Sequence, residues 1–121
     1  MIDHIAIPVS DIDASKEFYT RALAPLDYVL IMEHGISGAG FGRDNKPNFW
    51  IQASEDTSSI HIAFSSANRA TVDKFYQAAL DAGGIDNGAP GVRGEYHPSY
   101  YGAFVKDLDG NNIEAVCHTP E

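Results

Sequence analysis

"DHIAIPV" at residues 3–9 returns as "IHIAFSS" at residues 60–66. Sliding the chain against itself by 57 residues lays His4-Ile5-Ala6 over His61-Ile62-Ala63. The same register, without a gap, lays Phe18-Tyr19 over Phe75-Tyr76 and Ala22-Leu23 over Ala79-Leu80. Self-similarity at a fixed period marks a chain built from copies of one supersecondary unit, and duplication explains the matches better than coincidence.

Each copy opens on alternation and passes into a helical pattern. Successive side chains of a strand point to opposite faces, so Ile5, Ile7 and Val9 share one face while His4, Ala6 and Pro8 share the other. The larger apolar face is expected to meet a helix. Asp11 or Asp13 can cap that helix across "ASKEFYTRAL" (14–23), where Phe18, Tyr19, Ala22 and Leu23 form one stripe before Pro25 ends it. In the second copy Asn68 or a nearby serine opens "ATVDKFYQAAL" (70–80), Phe75, Tyr76, Ala79 and Leu80 repeat the stripe, and Gly83-Gly84 supplies the stop.

Short strands follow each helix: "YVLIME" (28–33), "GAGFG" (38–42) and "NFWIQA" (48–53), then "YYGAFVKD" (100–107) and "NNIEAVCH" (111–118), with a weaker one in "GVRGEY" (91–96). The turn "DLDG" (107–110) reads as hairpin chemistry that places the strand after it and does nothing more. The expected fold is α+β, with two tandem βαβββ modules, 1–56 and 57–121, in a single domain over 1–121. A lone module leaves one face of its sheet uncovered, so the two are expected to form a curved mixed sheet with a central cup.

The totals narrow the partners. Seventeen acids against eight bases leave a formal charge of −9, and the bases are scattered singly, which disfavours nucleic acid and anionic membranes. No apolar run reaches the ~20 residues of a membrane helix, and the opening carries no signal-peptide pattern, so a cytoplasmic location is expected. The one cysteine, Cys117, reads as a small buried apolar residue. A small molecule and a second copy of the chain remain as partners.

The repeat also places chemistry. His4 and His61 open equivalent strands and are expected to face the same interior. Parity in "NNIEAVCH" puts Glu114 opposite Ile113, Ala115 and Cys117, so if that trio backs onto a helix, Glu114 joins the histidines. Two imidazoles and a carboxylate make a facial set for a divalent first-row ion (Fe, Mn, Ni or Zn) that leaves positions open for substrate.

The duplicated βαβββ order, the opening "DHIAIPVSDIDASKEFY", the recurring "HIAF" and the closing "AFVKDLDGNNIEAV" together resemble the vicinal oxygen chelate superfamily of glyoxalases, bleomycin and fosfomycin resistance proteins and extradiol dioxygenases. The resemblance covers nearly the whole chain and implies His4, His61 and Glu114 as metal ligands, often in a dimer whose cup can be built across two chains. Glyoxalases add a glutamate in the last strand of the first unit. Aligning "FWI" with "IEA" puts Trp50 there, with Gln52 the nearest polar group on the same face, which argues against lactoylglutathione lyase activity. The dioxygenase tyrosine falls on Val105, and Leu108 stands where the family often has proline, which weakens ring cleavage.

Further residues complete the expected site. "GEYHPSYYGAF" (94–104) gathers Tyr96, His97, Tyr100 and Tyr101 after a glycine-rich run from Gly83 to Gly94 that reads as a pliant lid, and these four are the candidate proton donors and acceptors. Trp50 is either a wall for a planar ligand or a large core residue. With Gln52, Arg43 and Arg93 it makes the candidate substrate-binding set, the arginines suiting an anionic group. Two functions follow. One is a metal-dependent lyase, transferase or dioxygenase acting on vicinal oxygens of a small molecule, expected as a homodimer in the family's manner; the other is a metal-free binding protein with an aromatic cup.

Overall fold

A computed structural model describes residues 1–57 and 59–121. The chain runs β1 (Ile5–Val9), α1 (Ile12–Ala22), a 3₁₀ turn (Ala24–Leu26), β2 (Val29–Glu33), β3 (Gly38–Arg43) and β4 (Lys46–Ala53). It then repeats the order as β5 (His61–Ser65), α2 (Arg69–Asp81), β6 (Ile85–Val92), β7 (Tyr101–Lys106) and β8 (Asn112–Cys117). The strands form two four-stranded mixed sheets, ordered β1-β4-β3-β2 and β5-β8-β7-β6. In each, the first strand pairs in parallel with the last and the other neighbours are antiparallel. The fold is α+β, built of two similar βαβββ modules.

The helix boundaries follow local chemistry. Asp11 accepts from the Ala14 amide at 3.1 Å and Asn68 from the Thr71 amide at 2.8 Å, each satisfying an otherwise unpaired first-turn donor. Gly83, at φ +108°, ends α2 in a conformation that side-chain-bearing residues rarely adopt. The glycine-rich run read as a pliant lid is mostly strand. Residues 85–92 pair with β7 through bulges around Gly88 and Gly91, and Pro90 is tolerated because β6 is an edge with one partner. The loop proper covers residues 93–100.

The apolar faces of both sheets meet one core. Ile7, Phe41, Phe49 and Ile51 of the first sheet join Phe18, Tyr19, Phe75, Val105, Ile113 and Cys117 in a single buried cluster. Phe64 of β5 packs edge to face on Phe49 and on Tyr28, both at 5.3 Å between centroids. Each large side chain so buried contributes about 1.5–3 kcal/mol.

The "DLDG" turn does more than shape a hairpin. Asp107 is buried, and its carboxylate accepts from the amides of Asp109 (3.0 Å) and Asn111 (2.8 Å), from Asn111 Nδ2 (2.9 Å) and from the Tyr19 hydroxyl on α1. Asp109 accepts from the Ser10 amide and Asn111 from the Ile60 amide. The turn therefore fastens the second module to the first and fixes the residue before His61.

Candidate functional site

Because both sheets turn their apolar faces to one core, their remaining faces look away from it. On the second sheet that face carries His61 and Ala63 of β5, Glu114 of β8, and Gly102 and Phe104 of β7. Glu114 lies in register between Ala63 and Phe104. The small Ala63 leaves room for the carboxylate, and Gly102 lets it lie close to the backbone, since a Cβ there would stand 3.1 Å from Glu114 Oε2. His61 and Tyr100 cover it, so Glu114 is fully buried without being part of the apolar core.

Two donors converge on that carboxylate. His61 Nε2 lies 2.8 Å from Oε1, and the Tyr100 hydroxyl donates to Oε2. The shared hydrogen requires the Nε2–H tautomer of the imidazole when neutral. Burial, with the Glu114 carboxylate beside it, pushes the Tyr100 phenol well above its ordinary value, which keeps it a donor. The His61 ring is half exposed and rests 6.2 Å from Phe104.

The first sheet presents a different face. His4 precedes β1, its Nδ1 2.7 Å from Asp3 Oδ1, and borders a small cavity of about 210 Å³ with Ala6, His34, Trp50 and Gln52. Trp50 lies flat over Gly40, whose Cβ would meet the indole at 2.8–2.9 Å, and stacks on His34 at 5.3 Å with planes 15° apart. The register pairs Ala6 with Trp50 just as it pairs Ala63 with Glu114.

The chain itself thus brings His61, Glu114 and Tyr100 together and leaves His4 on the other sheet. Among the described residues no group of three His, Cys, Asp or Glu side chains lies close enough to hold one ion. The expectation that both histidines face one interior within the chain is not met, because each module turns its apolar face inward. An imidazole and a buried carboxylate in contact, with a rigid donor behind the carboxylate, fit two ligands of a divalent first-row ion and fall short of a full set.

The other candidates divide. Tyr96 packs 5.0 Å from Tyr100. His97 accepts from the Ser99 amide at Nδ1, and its ring lies 6.1 Å from His118. Tyr101 turns to the helix side, donating to Asp73 under the Arg69 guanidinium. Arg43 spends two donors on the Leu26 carbonyl and stacks on Tyr28, while Arg93 lies over Phe104. Phe104, Gly102, His118 and His34 escaped the sequence reading. Parity across the hairpin could have found Phe104, the partner of Glu114, whereas nothing local marks His34.

Beyond the first strand lies an opening. β1 and β5 are edge strands of their sheets and flank a cleft of about 650 Å³ lined by Ile5, Ala6, Ile60, His61, Ile62 and Ala63 among others. No helix among the described residues is long and apolar enough to cross a membrane.

The family model of the Glyoxalase/Bleomycin resistance protein/Dioxygenase superfamily matches residues 1–24, which cover β1 and α1. No curated relative matches the chain in sequence. Solved structures share the whole fold. A glyoxalase/bleomycin resistance protein from Albidiferax ferrireducens T118 superposes with a TM-score of 0.81 at 24% identity over 95% of this chain and 96% of its own. A glyoxalase/bleomycin resistance protein/dioxygenase family enzyme from Burkholderia phytofirmans PsJN gives 0.77 at 20% over 98% of both. Lactoylglutathione lyase from Agrobacterium tumefaciens gives 0.70 at 14% over 97% and 92%. The chain has the vicinal oxygen chelate fold, and its opening βα unit carries the sequence pattern of the Glyoxalase/Bleomycin resistance protein/Dioxygenase superfamily.

Proposed function

We propose that the protein is a metal-dependent enzyme acting on a small molecule, working as a homodimer in which His4 of one copy completes the His61–Glu114 pair of the other. The observation that carries this reading is the fully buried Glu114 held between His61 and Tyr100 on an outward face. An ionisable side chain is buried at such a place only at a cost, which a bound cation offsets.

The strand edges say how His4 reaches it. His4 immediately precedes β1 and His61 begins β5, and the two strands lie on either side of one cleft. A twofold axis through that cleft brings each β1 beside the partner's β5, so both contacts form at once and leave neither edge open. His4, Trp50 and Gln52 of one copy then face His61, Glu114 and Arg93 of the other.

A divalent ion held by that set supplies Lewis acidity toward two neighbouring oxygens of a substrate. The chain's own residues do the rest. Tyr100 fixes Glu114 through Oε2, so the carboxylate keeps its orientation. Phe104 and Trp50 wall the space and exclude water. Tyr96 and His97, at the loop over Tyr100, are the groups placed to exchange a proton with substrate; Tyr100 is committed to Glu114 and Tyr101 to Asp73. Lyase, transferase and dioxygenase outcomes remain open to such a site.

The decisive experiment mixes variants. His4→Ala and His61→Ala should each lose the bound ion on reloading, and mixing them in equal amounts should restore about one site in four, because each mixed dimer has one site with both changes and one with neither. No recovery on mixing refutes a site shared between copies. A second reading, a metal-free binding protein, draws support from the stacked Trp50 platform and from His61 and Glu114 satisfying each other. Quenching of Trp50 by a planar ligand under chelator, without turnover, favours it.

A further inference from the structure

Arg93 is a cation on the outward face of the second sheet, which strand parity also gives to Lys106, and its surroundings hold it there. The guanidinium lies over the Phe104 ring at 5.3 Å, and Nη2 donates to the Ala89 carbonyl at 2.7 Å. Two glycines make room for it: a Cβ at Gly88 would stand 3.3 Å from Nη2, and one at Gly91 3.0 Å from Nη1. Its backbone is pinned as well, since the Arg93 amide donates to the Tyr100 carbonyl at 2.7 Å and the amides of Tyr96 and His97 donate to its carbonyl. The ring beneath it is the one that flanks His61.

What this guanidinium lacks is an anion. Among the described residues no carboxylate lies within ion-pair distance of it, in a chain with seventeen acids and eight bases. Arg43 likewise has a carbonyl, a ring and, among the described residues, no carboxylate at ion-pair distance, but it stands on β3 of the first sheet, whereas Arg93 lies on the sheet that carries His61 and Glu114. A planar fork fixed on an aromatic face, with donors left over and close to a candidate metal pair, suits bidentate recognition of an oxyanion.

We infer that the substrate carries an oxyanion, a carboxylate or a phosphonate, next to a flat apolar portion, and that Arg93 over Phe104 receives it. This rests on the reading of the His61–Glu114 face as the ligand site. It adds that substrate selection depends on a charge located away from the oxygens that would meet the ion.

The test uses benzoate and phenylphosphonate as probes, with benzamide as the neutral match, titrated into the full chain by NMR both under chelator and after reloading with Mn or Zn. Both anions should bind more tightly than benzamide under chelator, and rising salt should weaken them. Arg93→Gln should weaken both at least about tenfold, to the level of benzamide, and Arg93→Lys should fall between. An anion affinity in Arg93→Gln equal to that of the unchanged protein overturns the inference, as does an unchanged protein that binds benzoate no better than benzamide, including not at all. Metal content, measured on the same samples, separates the two readings. Arg93-dependent benzoate binding without metal uptake leaves the oxyanion site standing and removes the metal enzyme; metal uptake with Arg93-independent benzoate binding does the reverse.

Discussion

Trp50 and Glu114 occupy the same place in the two sheets: each is the register partner of the alanine two residues after its module's first histidine, Ala6 in one and Ala63 in the other. One module thus offers an indole where its duplicate offers a carboxylate. The repeat has kept the frame and changed the chemistry it displays, so the two faces of a shared site would be unlike, one flat and apolar, the other polar and ligating.

Restoring the symmetry gives the first prediction. Trp50→Glu puts a carboxylate at the corresponding position, and in a dimer that joins the two faces it should raise affinity for a divalent ion by about tenfold. Competition with a coloured chelator measures it. Unchanged or weaker affinity means that Trp50 of one copy does not face His61 and Glu114 of the other.

Tyr100→Phe removes one of two donors from a fully buried carboxylate. The stranded Oε2 should cost about 1–3 kcal/mol in urea unfolding. Metal affinity should fall about 10- to 100-fold, the usual effect of losing a donor behind a ligand. Losing stability without losing metal affinity would make Tyr100 a packing residue alone.

Much of this was legible in the sequence because the relevant signals are local and periodic. Strand parity around Ile113, Ala115 and Cys117 placed Glu114 on the face away from the helix, and the 57-residue register placed His61 at the head of the strand equivalent to β1, which in the structure pairs with the strand of Glu114. The direction in which two modules pack was not legible. It depends on which apolar faces meet, as Phe49 meets Phe64, and each module's pattern is equally compatible with a shared cup inside one chain or between two. Likewise "IDNGAPGV" has too many glycines and a proline to read as a strand by propensity, yet the β7 ladder holds it as an edge. Asp107 looked like turn chemistry because its partner Tyr19 is far away in sequence.

That pairing predicts an alkaline signature. Burial, and then the Asp107 carboxylate, raise the Tyr19 phenol well above its ordinary value, so the fold favours the protonated form. A raised value contributes stability that is fully present below the unfolded value, about 10, and is lost as pH rises beyond it toward the folded one. Urea unfolding from pH 8 to 11.5 should therefore show stability falling above pH 10, and Tyr19→Phe should be less stable at neutral pH by about 1–3 kcal/mol with a flatter alkaline limb. Equal alkaline slopes in the two proteins would show that Tyr19 does not carry this dependence.

The platform on the first sheet can be tested without touching any candidate ligand. Gly40 has room for hydrogen alone beneath Trp50, because a Cβ would come within 2.8–2.9 Å of three ring atoms. Gly40→Ala must lift the indole off the sheet, and the half-buried ring can swing toward solvent at a cost of about 1–3 kcal/mol. The stack on His34 is then lost. Trp50 is the chain's one tryptophan, so its emission reads the change directly, shifting to longer wavelength with the fold retained by circular dichroism. His34→Ala is the control, since it removes the stacked partner while leaving the ring on Gly40, and its shift should be smaller. Planar probes that quench Trp50 should quench it less in Gly40→Ala. Emission identical to the unchanged protein would place the indole elsewhere and remove the flat wall from the proposed site, while the His61–Glu114 pair on the other sheet would stand unaffected.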